Sequence, residues 1–148
     1  PYKELTKCRI AYNKEIVSIE YIPYQIRPVS SLRLVKDNTI EYSWKTTNRE
    51  TINRLFASRQ KYDDILIVKN DLITDTSICN VAFSDGNRWK TPEKPLLKGT
   101  QREYLLRRGT IQEARISTDD ISKYKHISLF NAMIGFGEII LPITSINI

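Results

Sequence analysis

The chain has 148 residues, 41% hydrophobic and 27% charged, which is enough to bury one domain-sized core and excludes an intrinsically disordered segment. Lys and Arg number 23 against 17 Asp and Glu, a formal charge of +6, but the signs are interspersed: the field is diffuse, it suits a small anionic ligand, and no RNP-like, KH-like or basic-helix pattern points to nucleic acid. No stretch has the length of a membrane span, there is no signal-peptide pattern, and Cys8 and Cys79 lack the spacing of a zinc site or disulfide framework, so a cytoplasmic protein without a metal site is expected.

The elements run as follows. "CRIAY" and "IVSIEYIPY" flank an "NKE" turn and predict a hairpin, and "SLRLVK" continues extended after Pro28. "NRETINRLFASRQ" places Ile52, Leu55, Phe56 and Arg59 at helical spacing, with Thr47 or Asn48 as N-cap, so Lys45 falls just outside a helix start. "DDILIVKNDLITDTSICNVAFSDGNRWKTP" holds three apolar bursts separated by "KND" and "SDG", the pattern of a small antiparallel meander. A loop with Pro92 and Pro95 leads into "LLKGTQREYLLRRG", a short helix that Gly109 would end. "TIQEARI" predicts a strand, and "STDDISKY" a short helix with Ser117 and Asp120 in capping-box spacing. "HISLFNAMIGFGEIILPI" predicts two strands about a Gly-Phe-Gly turn. The fold class is α+β with strands outnumbering helices. The opening "PYKELTK" enters strand-like sequence without a methionine, so an N-terminal part of the protein is expected to lie outside these residues.

From about residue 41 onward, four motifs in order resemble the class IV family of pyridoxal-phosphate enzymes, which includes branched-chain and D-amino-acid aminotransferases and 4-amino-4-deoxychorismate lyases. "KTTN" at 45 to 48 matches the family's Lys-Thr-x-Asn before a helix. "DDILIV", "KND" and "ITDTSICNVAF" follow in the order of its acidic strand, turn and "VTEGTxSN" strand. "LLKGTQR" at 96 to 102 matches "LLPGITR", and "LFNAMIGF" at 129 to 136 is close to the lyases' "FxxNALMPV".

The resemblance implies a partial small α+β domain at 1–38, a pseudo-barrel domain at 39–148 with a cofactor cleft between them, a homodimer, and pyridoxal 5'-phosphate as cofactor. It makes Lys45 the Schiff-base lysine, nucleophile and proton carrier, a role that requires an amine kept from permanent protonation. Asp75 stands where the family has a glutamate holding the pyridine nitrogen protonated, and is one methylene shorter. Gly99, Thr100 and Gln101 lie at a predicted helix N-terminus suited to a phosphate, with Asn131 and Ala132 on its other side. The substrate implied is an amino acid or an amino-chorismate. Transamination and lyase chemistry share these residues. Asn38, seven residues before Lys45, replaces an arginine that some D-amino-acid aminotransferases use, and "NAM" leans toward the lyase branch, but the function the resemblance implies first is that of a class IV aminotransferase, with 4-amino-4-deoxychorismate lyase second. An inactive relative that keeps the fold, or a basic binding module, are the competing readings. Outside the motifs, the single His126 begins an apolar strand and reads as structural, and Trp44 and Trp89 read as core or interface packing.

Overall fold

A computed structural model describes residues 4–147. β1 (Thr6–Tyr12) and β2 (Ile16–Pro23) form the expected hairpin, its turn closed by the Asn13 side chain accepting from the Glu15 amide at 3.0 Å. It stands as a separate two-stranded sheet.

The rest is built on two larger sheets. The first has four strands in the order β11-β3-β4-β5: β3 (Leu32–Lys36), β4 (Asp64–Lys69), β5 (Leu72–Thr76) and β11 (Ile146–Asn147). The second has five in the order β10-β9-β6-β7-β8: β6 (Asn80–Ser84), β7 (Trp89–Pro92), β8 (Gln112–Ala114), β9 (His126–Phe130) and β10 (Ile139–Pro142). The predicted meander is therefore corrected. β4 pairs antiparallel with β5 and β6 antiparallel with β7, but β5 and β6 belong to different sheets, and β4 runs parallel to β3. The chain changes sheet at Thr76–Cys79, where the Thr76 amide donates to the Cys79 carbonyl at 2.9 Å and the Thr76 hydroxyl accepts from the Cys79 amide at 3.0 Å. The "KND" turn is a two-residue connection in which Asn70 (φ 51°) and Asp71 (φ 61°) both take the left-handed conformation, the turn whose twist matches an antiparallel pair.

Strand alternation sorts the core into layers. Leu66 and Val68 of β4 pack with Val81 and Phe83 of β6 and Ile127 and Leu129 of β9 between the sheets. On the other face of β4, Ile65 and Ile67 meet Ile52 and Leu55 of α1 (Glu50–Ala57). Ala82 of β6 and Phe130 of β9 meet Leu105 of α2 (Thr100–Arg107). Each sheet thus has one helix on its outer face and the other sheet on its inner face. The central strands are buried on both sides, so they read as continuous apolar runs.

The helix boundaries follow local chemistry. The residue before α1 is Arg49, not the expected Thr47 or Asn48, although the Asn48 Oδ1 does accept from the Glu50 amide at 3.1 Å. α2 ends as predicted at Gly109 (φ 68°): its amide and that of Thr110 donate to Leu106 and Leu105, a Schellman arrangement that needs a left-handed residue. Ser117 and Asp120 form the expected capping box at a 3-10 helix, Thr118–Lys123. Trp89 packs edge-on against Phe136, centroids 5.2 Å apart, as a core role requires. Trp44, by contrast, is 80% exposed on the loop before α1 and is no part of the core. His126 opens β9, paired with Ser84 and Pro142, at the exposed end of that strand.

A cleft where the chain changes sheet

The crossing from β5 to β6 leaves a cleft of about 380 Å³, in the size range of small-ligand sites. Its floor is the end of β5 and the start of β6. One wall is the Leu96–Thr100 segment entering α2, a second is the segment leading into α1, and the 131–133 turn after β9 closes the far side. Of the seven residues the sequence singled out, Lys45, Asp75, Gly99, Thr100, Asn131 and Ala132 line this one cleft. Gln101 does not; it lies one position further into α2.

Asp75 is buried, and both carboxylate oxygens are engaged. Oδ1 accepts from the Asn80 side-chain amide and Oδ2 from the Leu97 backbone amide, each at 2.9 Å. The same Asn80 Nδ2 donates to the Leu97 carbonyl at 2.7 Å, which closes a three-membered ring of hydrogen bonds across the two sheets and the α2 entry loop. Burial pushes the Asp75 carboxyl up to about 6, opposed by the Leu97 amide, the Asn80 side chain and the Arg102 charge. At pH 7 it is predominantly the carboxylate. Gly99 has an ordinary extended backbone (φ −71°, ψ 150°), so its identity is set by space: a Cβ there would lie 2.2 Å from the Asn80 Oδ1. No side chain caps α2, so its first-turn N–H groups remain available at the cleft.

Lys45 stands exposed on the loop before α1, with no hydrogen bond or ion pair among the described residues. Lys7 of β1 and Lys98 share that freedom and also line the cleft. Arg49 donates to the Ser77 carbonyl at 2.7 Å and lies over the Tyr42 ring. Four cations therefore line the cleft that holds the buried Asp75 carboxylate. Asn131 contributes shape more than free polar groups, because its Oδ1 accepts from the Met133 and Ile134 amides at 2.7 and 2.9 Å while Nδ2 donates to the Ile78 carbonyl. Cys79, also in the lining, is buried, and that pushes its thiol up to about 12. The paired aspartates of "DDILIV" lie elsewhere. Asp63 holds the Ser30 and Ser31 amides, and buried Asp64 pairs with Arg27 at 2.9 Å.

Sequence reading missed Lys7, Tyr24, Tyr42, Arg49 and Asn80 as lining residues. Asn80 and Arg49 had a local signal, since the first sits inside "SICNVAF" and the second directly follows "KTTN". Lys7 and Tyr24 had none, because only the fold brings the hairpin to this site.

The model of the "Amino-transferase class IV" family matches residues 13–146, nearly the whole chain and every lining residue of the cleft except Lys7. The chain belongs to the class IV aminotransferase family. An uncharacterized protein of Haemophilus influenzae is 46% identical over 132 residues, 89% of this chain and 70% of that protein. Among solved structures, a "putative 4-amino-4-deoxychorismate lyase" from Haemophilus somnus superposes with a TM-score of 0.84 at 38% identity, over 88% of this chain and 67% of that one. A "Putative amino-acid aminotransferase" from Mesorhizobium loti gives 0.76 at 25%, over 92% and 70%. These likenesses make the class IV enzyme fold, an α+β arrangement of mixed sheets, the architecture of this class IV member.

Proposed function

We propose that the cleft binds pyridoxal 5'-phosphate and that Lys45 is its catalytic amine, in a lyase that cleaves an amino-chorismate. The observation that carries this reading is the convergence of Lys45, Asp75, Gly99 and Thr100, which are distant in sequence, on one cleft of ligand size.

The donor set fits the cofactor. A buried aspartate that is ionised at pH 7 is a suitable partner for a protonated pyridine nitrogen, and it retains lone pairs beyond those used by Asn80 and Leu97. The uncapped start of α2 suits a phosphate, and Lys98 beside it adds charge. When bound, the cofactor supplies a reactive aldehyde and a ring that accepts electrons from the substrate's α-carbon. Asp75 would hold the proton on that ring's nitrogen, and the Asn80–Leu97 ring of hydrogen bonds fixes where its carboxylate points. Lys45 would be the amine that holds the cofactor's aldehyde carbon and then carries the substrate's α-proton. Arg49 and Lys7 are placed to hold substrate carboxylates by charge-assisted hydrogen bonds.

The lyase assignment leans on the 38% identical structural relative, and transamination is the second reading, favoured by the Mesorhizobium likeness. Wild-type protein given the cofactor should turn yellow, and borohydride should fix the cofactor on the peptide containing Lys45, with both signals lost in Lys45→Ala. Pyruvate and 4-aminobenzoate from 4-amino-4-deoxychorismate decide for the lyase; 2-oxoglutarate-dependent keto-acid formation decides for transamination. Absence of labelling in the wild type, or labelling of Lys7 or Lys98, overturns the role of Lys45.

A further inference from the structure

Arg102, the third residue of α2, is 2% exposed, among the most deeply buried side chains of the molecule. One terminal nitrogen donates to the Pro92 carbonyl of β7 at 2.9 Å and to the Glu113 carboxylate of β8 at 2.7 Å. Its Nε is buried without a partner. Three features of this placement oppose stability. A cation is taken out of water against a half-exposed partner, a donor is left unsatisfied, and the charge sits at the positive end of a helix dipole. An apolar side chain of similar volume would commonly be as stable or more so. Stability therefore does not account for this guanidinium.

Its location does. Arg102 lies two residues after Thr100, the last residue of this segment to line the cleft, and it ties the first turn of α2 to two strands of the five-stranded sheet. Fixed in this way, the turn cannot tilt its free amides away from the cleft, and the buried charge behind them adds to the potential an anion would meet. The same charge is felt across the cleft floor at Asp75, where it acts against the effect of burial.

We infer that Arg102 is a positioning residue for an anion at the start of α2: it sets the height and strengthens the positive potential of the Gly99–Thr100 backbone, so that this backbone receives the phosphate of the cofactor. The inference rests on the reading of the cleft given above. Its test separates the two by comparing pyridoxine 5'-phosphate with pyridoxine. Neither has an aldehyde, so chemistry at Lys45 plays no part, and they differ only in the phosphate.

Titration calorimetry on the wild type should show the phosphorylated ligand binding at least about a hundredfold more tightly. Arg102→Met should lower its affinity about tenfold or more and leave pyridoxine within about twofold, and Arg102→Lys should fall between. Equal losses for both ligands, or none, overturn the inference and leave Arg102 as a merely structural residue. A wild type that does not distinguish the two ligands overturns the phosphate reading itself. Should Arg102→Met fail to fold, Glu113→Gln answers the same question. It keeps a hydrogen-bond acceptor and removes the countercharge, so affinity for pyridoxine 5'-phosphate should rise about twofold with pyridoxine unchanged, and a fall overturns the inference.

Discussion

The β1–β2 hairpin and the β4 strand are written in the same alphabet of β-branched residues, yet one is nearly all surface and the other nearly all core. Ile10, Ile16, Val17 and Ile19 are each about half exposed or more, whereas Ile65, Leu66, Ile67 and Val68 have no exposed area. The difference is one of partners. β4 has hydrogen-bonded neighbours on both edges, the second sheet on one face and α1 on the other, while the hairpin strands have only each other. Apolar composition marks what a strand can bury; topology decides whether it does. The cysteines repeat the contrast, Cys8 being exposed on the hairpin and Cys79 buried at the cleft.

The sharpest way to break this comparison is to empty the centre. Leu66→Ala removes a fully buried side chain from the inter-sheet layer and should lower unfolding stability by about 3 kcal/mol, measured by urea titration. A loss under about 1 kcal/mol would mean that the two sheets are not packed as described.

A smaller effect is expected at the buried polar site. The Asp75 carboxyl is raised from 3.8 to about 6, so between those values the folded state holds more protons than the unfolded one. Stability from this group therefore rises as pH falls from about 6 toward 4, a change of about 2 kcal/mol. Asp37 and Asp63 act in the opposite sense, because hydrogen bonds hold both below the ordinary aspartate value. The difference between wild type and Asp75→Asn isolates the site: the mutant should lose stability relative to wild type as the pH is lowered from 7 to 4, and a constant difference across that range would contradict the burial of Asp75.

The smallest effect belongs to the hairpin. Ile19→Ser exchanges a half-exposed side chain and should change stability by less than about 0.5 kcal/mol. A loss above about 1 kcal/mol that depends on protein concentration would instead show this face covered in an assembled homodimer.

Much of this arrangement was legible in the sequence wherever the signal is local. The "NKE" and "KND" turns, the Gly109 stop and the Ser117–Asp120 box each depend on residues within a few positions, and each formed as expected. The four motifs led to the family for the same reason, since every one is a short contiguous string. What was not legible is non-local. Alternation says that a strand has a buried face but not which strand covers it, so the change of sheet between β5 and β6 passed for a continued meander. Arg102 was passed over inside "LLKGTQR" because arginine in an exposed helix and arginine in a buried one look alike until β7 and β8 are in place. Trp44 shows the same limit, since its exposure removes the core half of the expectation and leaves the interface half.

The parallel pairing of β11 with β3 has a consequence for how the chain folds. Ile146 sits beside Leu32 and Asn147 beside Arg33, so the four-stranded sheet joins positions from opposite ends of the sequence. The ends of β3 and β11 meet only after an entropically costly loop closure, which favours slow formation of this edge relative to the β4–β5 hairpin. On a ribosome, β3 would wait with one side open until Ile146 and Asn147 had emerged. This growing chain is thus exposed longest along the edge of β3 that β11 will cover, and that edge is where a chaperone would find it.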